Sequence, residues 1–356
     1  MKHALRRVTT FAALSLGAVS AVSASITINS VLPRHFATWY ASEEHTFQKS
    51  QSSLPTIDIT ILRCASVVVP EWIAVRGAFS LAPRLISHSA ILIRHPKATF
   101  LYDTGIASTI DRYFQNQSFR FKNTLGKFTL EQPIASHLQR LSLEPRDLDF
   151  VLLSHLHWDH VSGVPDLPGV LLRVNRVEYE AARYGLFDLH HGLSRALLGS
   201  NPIELFDCNG PDYDGFHASH DLFGDGSVML LPLPGHTAGN TGMLIRRANG
   251  SPLFLLGDAA WVAENYQRPA TMHPFIWNSV TSDDATACQT LIDLHHFAHR
   301  HPEIPLVAMH DAAAQEAFMS VEHTPEKQGG RKDQYGTNKE NLSKNGQTPT
   351  RGYPTI

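Results

Sequence analysis

Cysteine is scarce: Cys64, Cys208 and Cys288 are the only three in 356 residues. Three thiols cannot frame a disulfide-stapled domain, and although one bridge can form, the spacing does not say which. An excess of positive charge is also missing. With 30 Lys and Arg against 33 Asp and Glu, scattered rather than clustered, the chain lacks the basic footprint of a nucleic-acid binder. A small-molecule substrate is therefore the expected partner. Charged residues make up only 18% of the chain and hydrophobic ones 43%, which excludes disorder throughout and leaves apolar material for one large core or two small ones. No internal repeat is evident.

The two ends differ from the middle. Lys2, Arg6 and Arg7 precede an apolar run from Val8 to Val22, and Val22-Ser23-Ala24 places small residues before Ser25. This pattern predicts a secretory signal peptide over residues 1–24. The competing reading, a membrane anchor, needs about 20 apolar residues, and the run is short for that. Cleavage leaves 27 basic and 33 acidic side chains, a net charge of −6, and implies a periplasmic or secreted protein without stable membrane association. Ser25 to Ser53 forms a leader without a clear pattern. From Glu322 to Ile356 the chain turns to Gly, Lys, Asn, Thr and Pro without periodicity, which predicts a disordered polar tail. The folded part is expected between Leu54 and Val321.

Within it, Ile57, Ile59 and Ile61 alternate with Asp58, Thr60 and Leu62, while Ser89–Arg94 and Thr99–Tyr102 read as strands joined by a short turn. Leu138–Leu148 reads as a helix around Pro145, followed by a short buried strand at Phe150–Ser154. Further strands are expected at Val170–Val174, Ser227–Leu231, Gly242–Arg246, Leu253–Leu256 and Leu306–Met309, and helices at Glu178–Arg183 and Thr281–His301. Strands in pairs, then strand and helix alternating, predict an α/β layered domain. The Gly-, His- and Asp-rich stretch Gly185–Gly226 reads either as a lid or as a surface excursion.

The chemistry concentrates in Ser154-His155-Leu156-His157-Trp158-Asp159-His160, which follows an apolar strand. In extended chain, side chains two apart share a face, so His155 and His157 can reach one ion, while Asp159 and His160 follow in a turn. Burying four such groups without a metal is costly. Nitrogen and oxygen donors suit Zn²⁺, Mn²⁺, Co²⁺ or Fe²⁺, and the absence of cysteine argues against a closed structural zinc site. Three more polar residues stand directly after apolar strands: His236 in Pro234-Gly235-His236-Thr237, Asp258 after Leu253–Gly257, and His310 after Leu306–Met309. The remaining histidine pairs, His190-His191, His295-His296 and His217/His220, read as solvated or helix-surface residues.

Together, H-x-H-x-D-H, then G-H-T, then G-D-A, then a strand ending in histidine resemble the metallo-β-lactamase superfamily over Leu54–Val321. The resemblance implies an αββα sandwich with two divalent ions, zinc first among those named, at one edge of the sheets. By position it gives one ion His155, His157 and His236, the other Asp159, His160 and His310, and makes Asp258 the bridge. Asp103 in Leu101-Tyr102-Asp103-Thr104-Gly105 matches the family's DTG turn and is expected to orient a ligand histidine.

Such a centre holds an activated hydroxide between two ions and hydrolyses its substrate without a covalent intermediate. Asp159 is the catalytic residue expected to pass a proton to the leaving oxygen. The aspartate at 258 sets the chain apart from true β-lactamases of this fold. Ile57–Cys64, Gly257–Tyr266, and His310-Asp311 with Gln315–Phe318 look most like the N-acyl-homoserine lactonase group, which opens the lactone of bacterial signalling molecules, an activity known as quorum quenching. One departure is Trp261, where those lactonases carry a tyrosine, since an indole donates a hydrogen bond but is no phenol. The alternatives are a secreted phosphotriesterase of the methyl parathion hydrolase type and a metal-binding protein without turnover. Trp261, Phe275 and Trp277 are the candidate pocket aromatics. Homodimerisation is left open.

Overall fold

Alternating isoleucines at the start of the folded part make a ribbon with one buried face. The computed structural model describes residues 54–183 and 192–322, and in it β1 (Asp58–Pro70) pairs antiparallel with β2 (Pro83–His95), which pairs with β3 (Ala98–Tyr102). Both opening strands run further than their alternation indicates, because each satisfies the other's backbone from Asp58 opposite Arg94 to Pro70 opposite Pro83. A register shift between Arg63 and Ala65 leaves Cys64 as a bulge. Bulges re-aim side chains, and beyond this one Val67 and Val69 face the cavity described below.

The first sheet is completed by β4 (Thr129–Leu130), β5 (Phe150–Leu152), β6 (Leu172–Asn175) and β7 (Ile203–Phe206), in the order β4-β1-β2-β3-β5-β6-β7. The second contains β8 (His220–Asp221), β9 (Val228–Pro232), β10 (Thr241–Ile245), β11 (Leu253–Leu255) and β12 (Leu306–Val307), in the order β12-β11-β10-β9-β8. Period-two alternation sorts their side chains into layers. Ile91, Ile93, Phe100 and Tyr102 meet Leu230, Met243, Ile245 and Leu255 between the sheets. Ala90, Leu92, Leu101 and Val151 point the other way, onto helical residues Ile134, Leu138, Leu193 and Leu197. On the far side, Leu231, Leu244 and Phe254 pack against Leu291, Leu294 and Phe297 of the helix Asp284–Arg300. The result is the αββα sandwich that the motifs implied.

The sequence pattern does not predict strands β4, β7 and β8, and two expected helices have other bounds. The helix placed over Leu138–Leu148 runs instead from Ile134 to Arg140, and Pro145 opens a single 3₁₀ turn ending at Asp147. The physical cause is local: Ser142 adopts φ 55°, and proline cannot donate to a preceding helical turn. The helix expected over Thr281–His301 begins at Asp284, where the Asp283 carboxylate accepts the Ala285 and Thr286 N–H groups and caps it. His295 on that helix is buried, with Nδ1 2.9 Å from the Tyr266 carbonyl, rather than on the surface. The expected signal segment, leader and tail from residue 323, and His190 and His191, lie outside the described residues. Among residues 192–226, Leu193 and Leu197 join the core and none lines the cavity at the site. All three cysteines are free thiols.

Candidate metal centre

Five strand ends deliver the site to one edge. β3 and β5 are parallel neighbours, as are β11 and β12, so Asp103, the His155 motif, Asp258 and His310 all follow carboxyl ends, and His236 lies in the loop from β9 to β10. Asp103, at φ 56°, accepts the Ser154 N–H on Oδ1 at 2.8 Å and the Ser154 hydroxyl on Oδ2 at 2.9 Å. Oδ2 also lies 2.8 Å from His160 Nδ1. The His160 ring is thereby fixed with Nε2 facing Asp258 Oδ1 at 3.2 Å. His310 is held in the same way by the Ser87 carbonyl, 2.7 Å from Nδ1, so its Nε2 points inward.

The seven donors form adjoining groups. His155 Nε2 lies 3.1 Å from His157 Nδ1, which lies 2.9 Å from His236 Nε2. Beside this triad, His310 Nε2 stands 3.3 Å from Asp159 Oδ2 and 3.1 Å from Asp258 Oδ2. Asp258 reaches both sides, since Oδ2 is also 3.4 Å from His236 Nε2. Glycines make these approaches feasible at two points. Gly257 has φ 55°, and a Cβ there would stand 2.4 Å from Asn240 Oδ1, while one on Gly235, beside His236, would strike the Ala287 backbone at 2.2 Å.

Burial lowers the pKa of His155 well below the usual range, that of His157 to about 3 and that of His236 to about 4, so this triad is neutral and free to donate lone pairs. Burial likewise opposes charge on His160 and His310, but Asp258 with its neighbouring carboxylates outweighs it and raises both, His310 to about 10. Asp159 and Asp258 are held well below the usual carboxylate range despite burial, chiefly by His160 and His310. His236 Nδ1 is buried without a hydrogen-bond partner, a costly state for a polar atom, and His160 Nε2 and Asp258 Oδ1 meet each other only at ion-pair distance, 3.2 Å. Neutral imidazoles and ionised carboxylates converging with unmet valence fit divalent cations, and three sets of donors, two of them sharing His155, lie within metal-binding reach.

A cavity of about 230 Å³ opens onto the donors. His157, Asp159, His236, Asp258 and His310 line it together with the apolar Val67, Val69, Ile73, Leu125, Ile276 and Val280. Trp261 and Phe275 both line it, Phe275 being 56% exposed. Trp261 Nε1 donates to Asp258 Oδ2 at 3.1 Å. Trp277 does not reach the cavity: it is 5% exposed within the helix core and its indole N–H donates to Asp284 at 2.7 Å. Two residues on from Phe275, about 200° round the helix, it faces the core and is a packing residue. A larger groove of about 580 Å³, lined by residues including Tyr266, Leu306 and Phe318, contains none of the seven donors.

Two functional neighbours escaped the sequence reading. Glu178 is buried and accepts the Leu156 N–H at 2.9 Å and the Gly239 N–H at 3.0 Å, tying the histidine loop to the loop of His236. Nothing in its helical context marks it. His88 stands with Asp159 and His310 in one of the donor sets, and its signal was a polar Ser87-His88-Ser89 inside an otherwise apolar strand.

The fold and the donor cluster define a class, and comparison with known proteins gives the family. Residues 83–288 match the family model of the metallo-beta-lactamase superfamily, and the chain belongs to that superfamily. An N-acyl homoserine lactonase of Bacillus sp. is 29% identical over 178 residues, covering 49% of this chain and 65% of the relative. N-acyl homoserine lactonase AttM of Rhizobium radiobacter is 26% identical over 196 residues, covering 55% of this chain and 69% of the relative. The chain thus spans about two thirds of the length of these relatives. A solved N-acyl homoserine lactone hydrolase with N-hexanoyl-L-homoserine at its catalytic metal centre superposes with a TM-score of 0.57, covering 75% of this chain and 97% of that one. At 18% identity this last likeness is one of fold.

Proposed function

We propose that the protein is a dinuclear metal-dependent hydrolase that opens the lactone ring of N-acyl homoserine lactones. One observation carries the reading: a single cavity is lined both by nitrogen and oxygen donors of the cluster and by aliphatic side chains. A polar ring bearing an acyl chain has the same two components. His155, His157 and His236 would hold one ion, Asp159, His160 and His310 the other, with Asp258 shared. Bound divalent ions, zinc foremost, supply Lewis acidity toward a carbonyl and a water nucleophile activated at neutral pH.

The chain's own groups do the rest. Asp103 and the Ser87 carbonyl fix the rings of His160 and His310, so that the donors are ordered before substrate enters. Asp159 is the most open of the carboxylates, its side chain 13% exposed toward the cavity. Being ionised, it is placed to accept a proton and return it to the leaving alkoxide of the opened ring. The single Trp261 indole N–H, at the cavity wall where the lactonase group carries tyrosine, donates to Asp258 Oδ2 and would orient that shared carboxylate. A phosphotriesterase reading leaned on an aromatic pocket; Trp158, Trp261 and Phe275 line the cavity, but the aliphatic Val67, Val69, Ile73, Ile86, Leu125, Ile276 and Val280 outnumber them. The complete donor set weighs against a protein without turnover.

The test sets an acyl-homoserine lactone beside an aryl phosphotriester, following acid and aryloxide release by metal-loaded protein. Lactone opening that falls at least about 100-fold in His157→Ala is expected. Preferential aryloxide release moves the protein to the phosphotriesterases, and silence on both substrates from protein holding two ions sinks the hydrolase assignments.

A further inference from the structure

His88 lies within the donor cluster but outside every ligand motif. It sits on β2, opposite Ala65 of β1, and is 6% exposed. Its ring is edge-on to His310 at 5.2 Å and to Phe128 at 5.8 Å, with Trp158 at 5.9 Å. Nδ1 is buried without a hydrogen-bond partner and stands 3.5 Å from Asp159 Oδ2.

We propose that His88 is an eighth ligand of the centre, binding through Nδ1 the ion that Asp159 and His310 hold. The spacing distinguishes a shared ion from a direct contact. An N–H···O bond closes to about 2.7–3.2 Å, whereas two donors set about 110–120° apart on one ion with bonds of about 2.0–2.1 Å lie about 3.4–3.6 Å apart. The His88–Asp159 pair at 3.5 Å and the His310–Asp159 pair at 3.3 Å lie in or close to the second range. Burial points the same way, since an imidazole nitrogen enclosed without a partner is costly unless something absent from the protein's own polar groups satisfies it. The donor sits on a long paired strand rather than on a loop, and three aromatic rings fix its plane, so its position is preset.

A further imidazole makes this half of the site richer in nitrogen. Such a set favours zinc, cobalt or iron over manganese, which suits oxygen donors. The inference rests on the dinuclear reading above but not on the lactone substrate.

The experiment uses full-length protein stripped of metal and reloaded with cobalt. Affinities are read by chelator competition and ligating imidazoles by their hyperfine-shifted, exchangeable N–H resonances. Wild type is expected to take two ions. His88→Phe keeps a ring against Phe128 and Trp158 but offers no donor; it is expected to hold one ion as wild type does, bind the other at least about 10-fold more weakly, and lose one shifted imidazole signal. Unchanged affinities with a full set of signals overturn the proposal and leave His88 as a packing residue. A weakened ion with a full set of signals also overturns it, making His88 a support for Asp159. Should His88→Phe fail to fold, His88→Asn is read by the same signals. A wild type that takes only one ion sinks the dinuclear reading and His88 with it, whereas two ions with unaltered signals sink His88 alone.

Discussion

Asp103 shows how much one carboxylate settles at this edge of the sheets. One oxygen fixes the backbone at Ser154 and the other fixes the His160 ring. Asp103→Asn keeps the shape but sets an amide against Nδ1, so metal affinity should fall about 10- to 100-fold, measured by chelator competition. At Trp261, removing one N–H while keeping an aromatic wall tests its role. Trp261→Phe should lower kcat/KM for the lactone about 3- to 10-fold, the worth of one hydrogen bond, and Trp261→Tyr should recover it in steady-state assays. Cys64 and Cys208 are raised to about 12 by burial, which leaves almost no thiolate at pH 8. Their alkylation in native protein should be at least about 100-fold slower than in denatured protein, read by mass spectrometry.

At the scale of elements, two ligand-bearing loops are tied together by one helix. Glu178, on the helix Arg176–Arg183, accepts backbone N–H groups from both the Leu156 and the Gly239 loops. Glu178→Ala would orphan two buried donors and should cost about 2–6 kcal/mol, at about 1–3 for each; urea unfolding measures it. Glu178→Gln, which retains an acceptor oxygen, should cost less. Elements also show where sequence reading stops. Nine of the twelve strands among the described residues were legible from alternation or short apolar runs, whereas β4, β7 and β8, short and partly exposed, carry neither signal. The helix around Pro145 was misread because apolar spacing carries on through Ser142, whose left-handed backbone is a decision of packing. Trp277 and Phe275 are two apart on one helix and so face opposite ways, one into the core and one toward the cavity; only the helix's rotation against its neighbours says which.

For the whole molecule, the donor cluster is a stabilising device as well as a site. Ions that bind the folded chain and not the unfolded one add about 4 kcal/mol at a thousandfold excess over Kd. Chelation should therefore lower Tm, and zinc, cobalt or manganese should restore it, as followed by thermal scanning. The export signal expected over residues 1–24 is tested by Edman sequencing of protein from the periplasm or medium, which should then begin at Ser25.

The sequence by itself determined the seven candidate ligands, the order in which the chain supplies them and the layered fold, because ligand chemistry and strand alternation are written in local patterns. Tertiary structure alone decided what surrounds them. His88, Glu178 and the aliphatic walls come from segments far apart in the chain, and a residue's reach across a sheet edge depends on register, bulge and helix rotation. Those are set by how the layers pack, which no short stretch of sequence encodes.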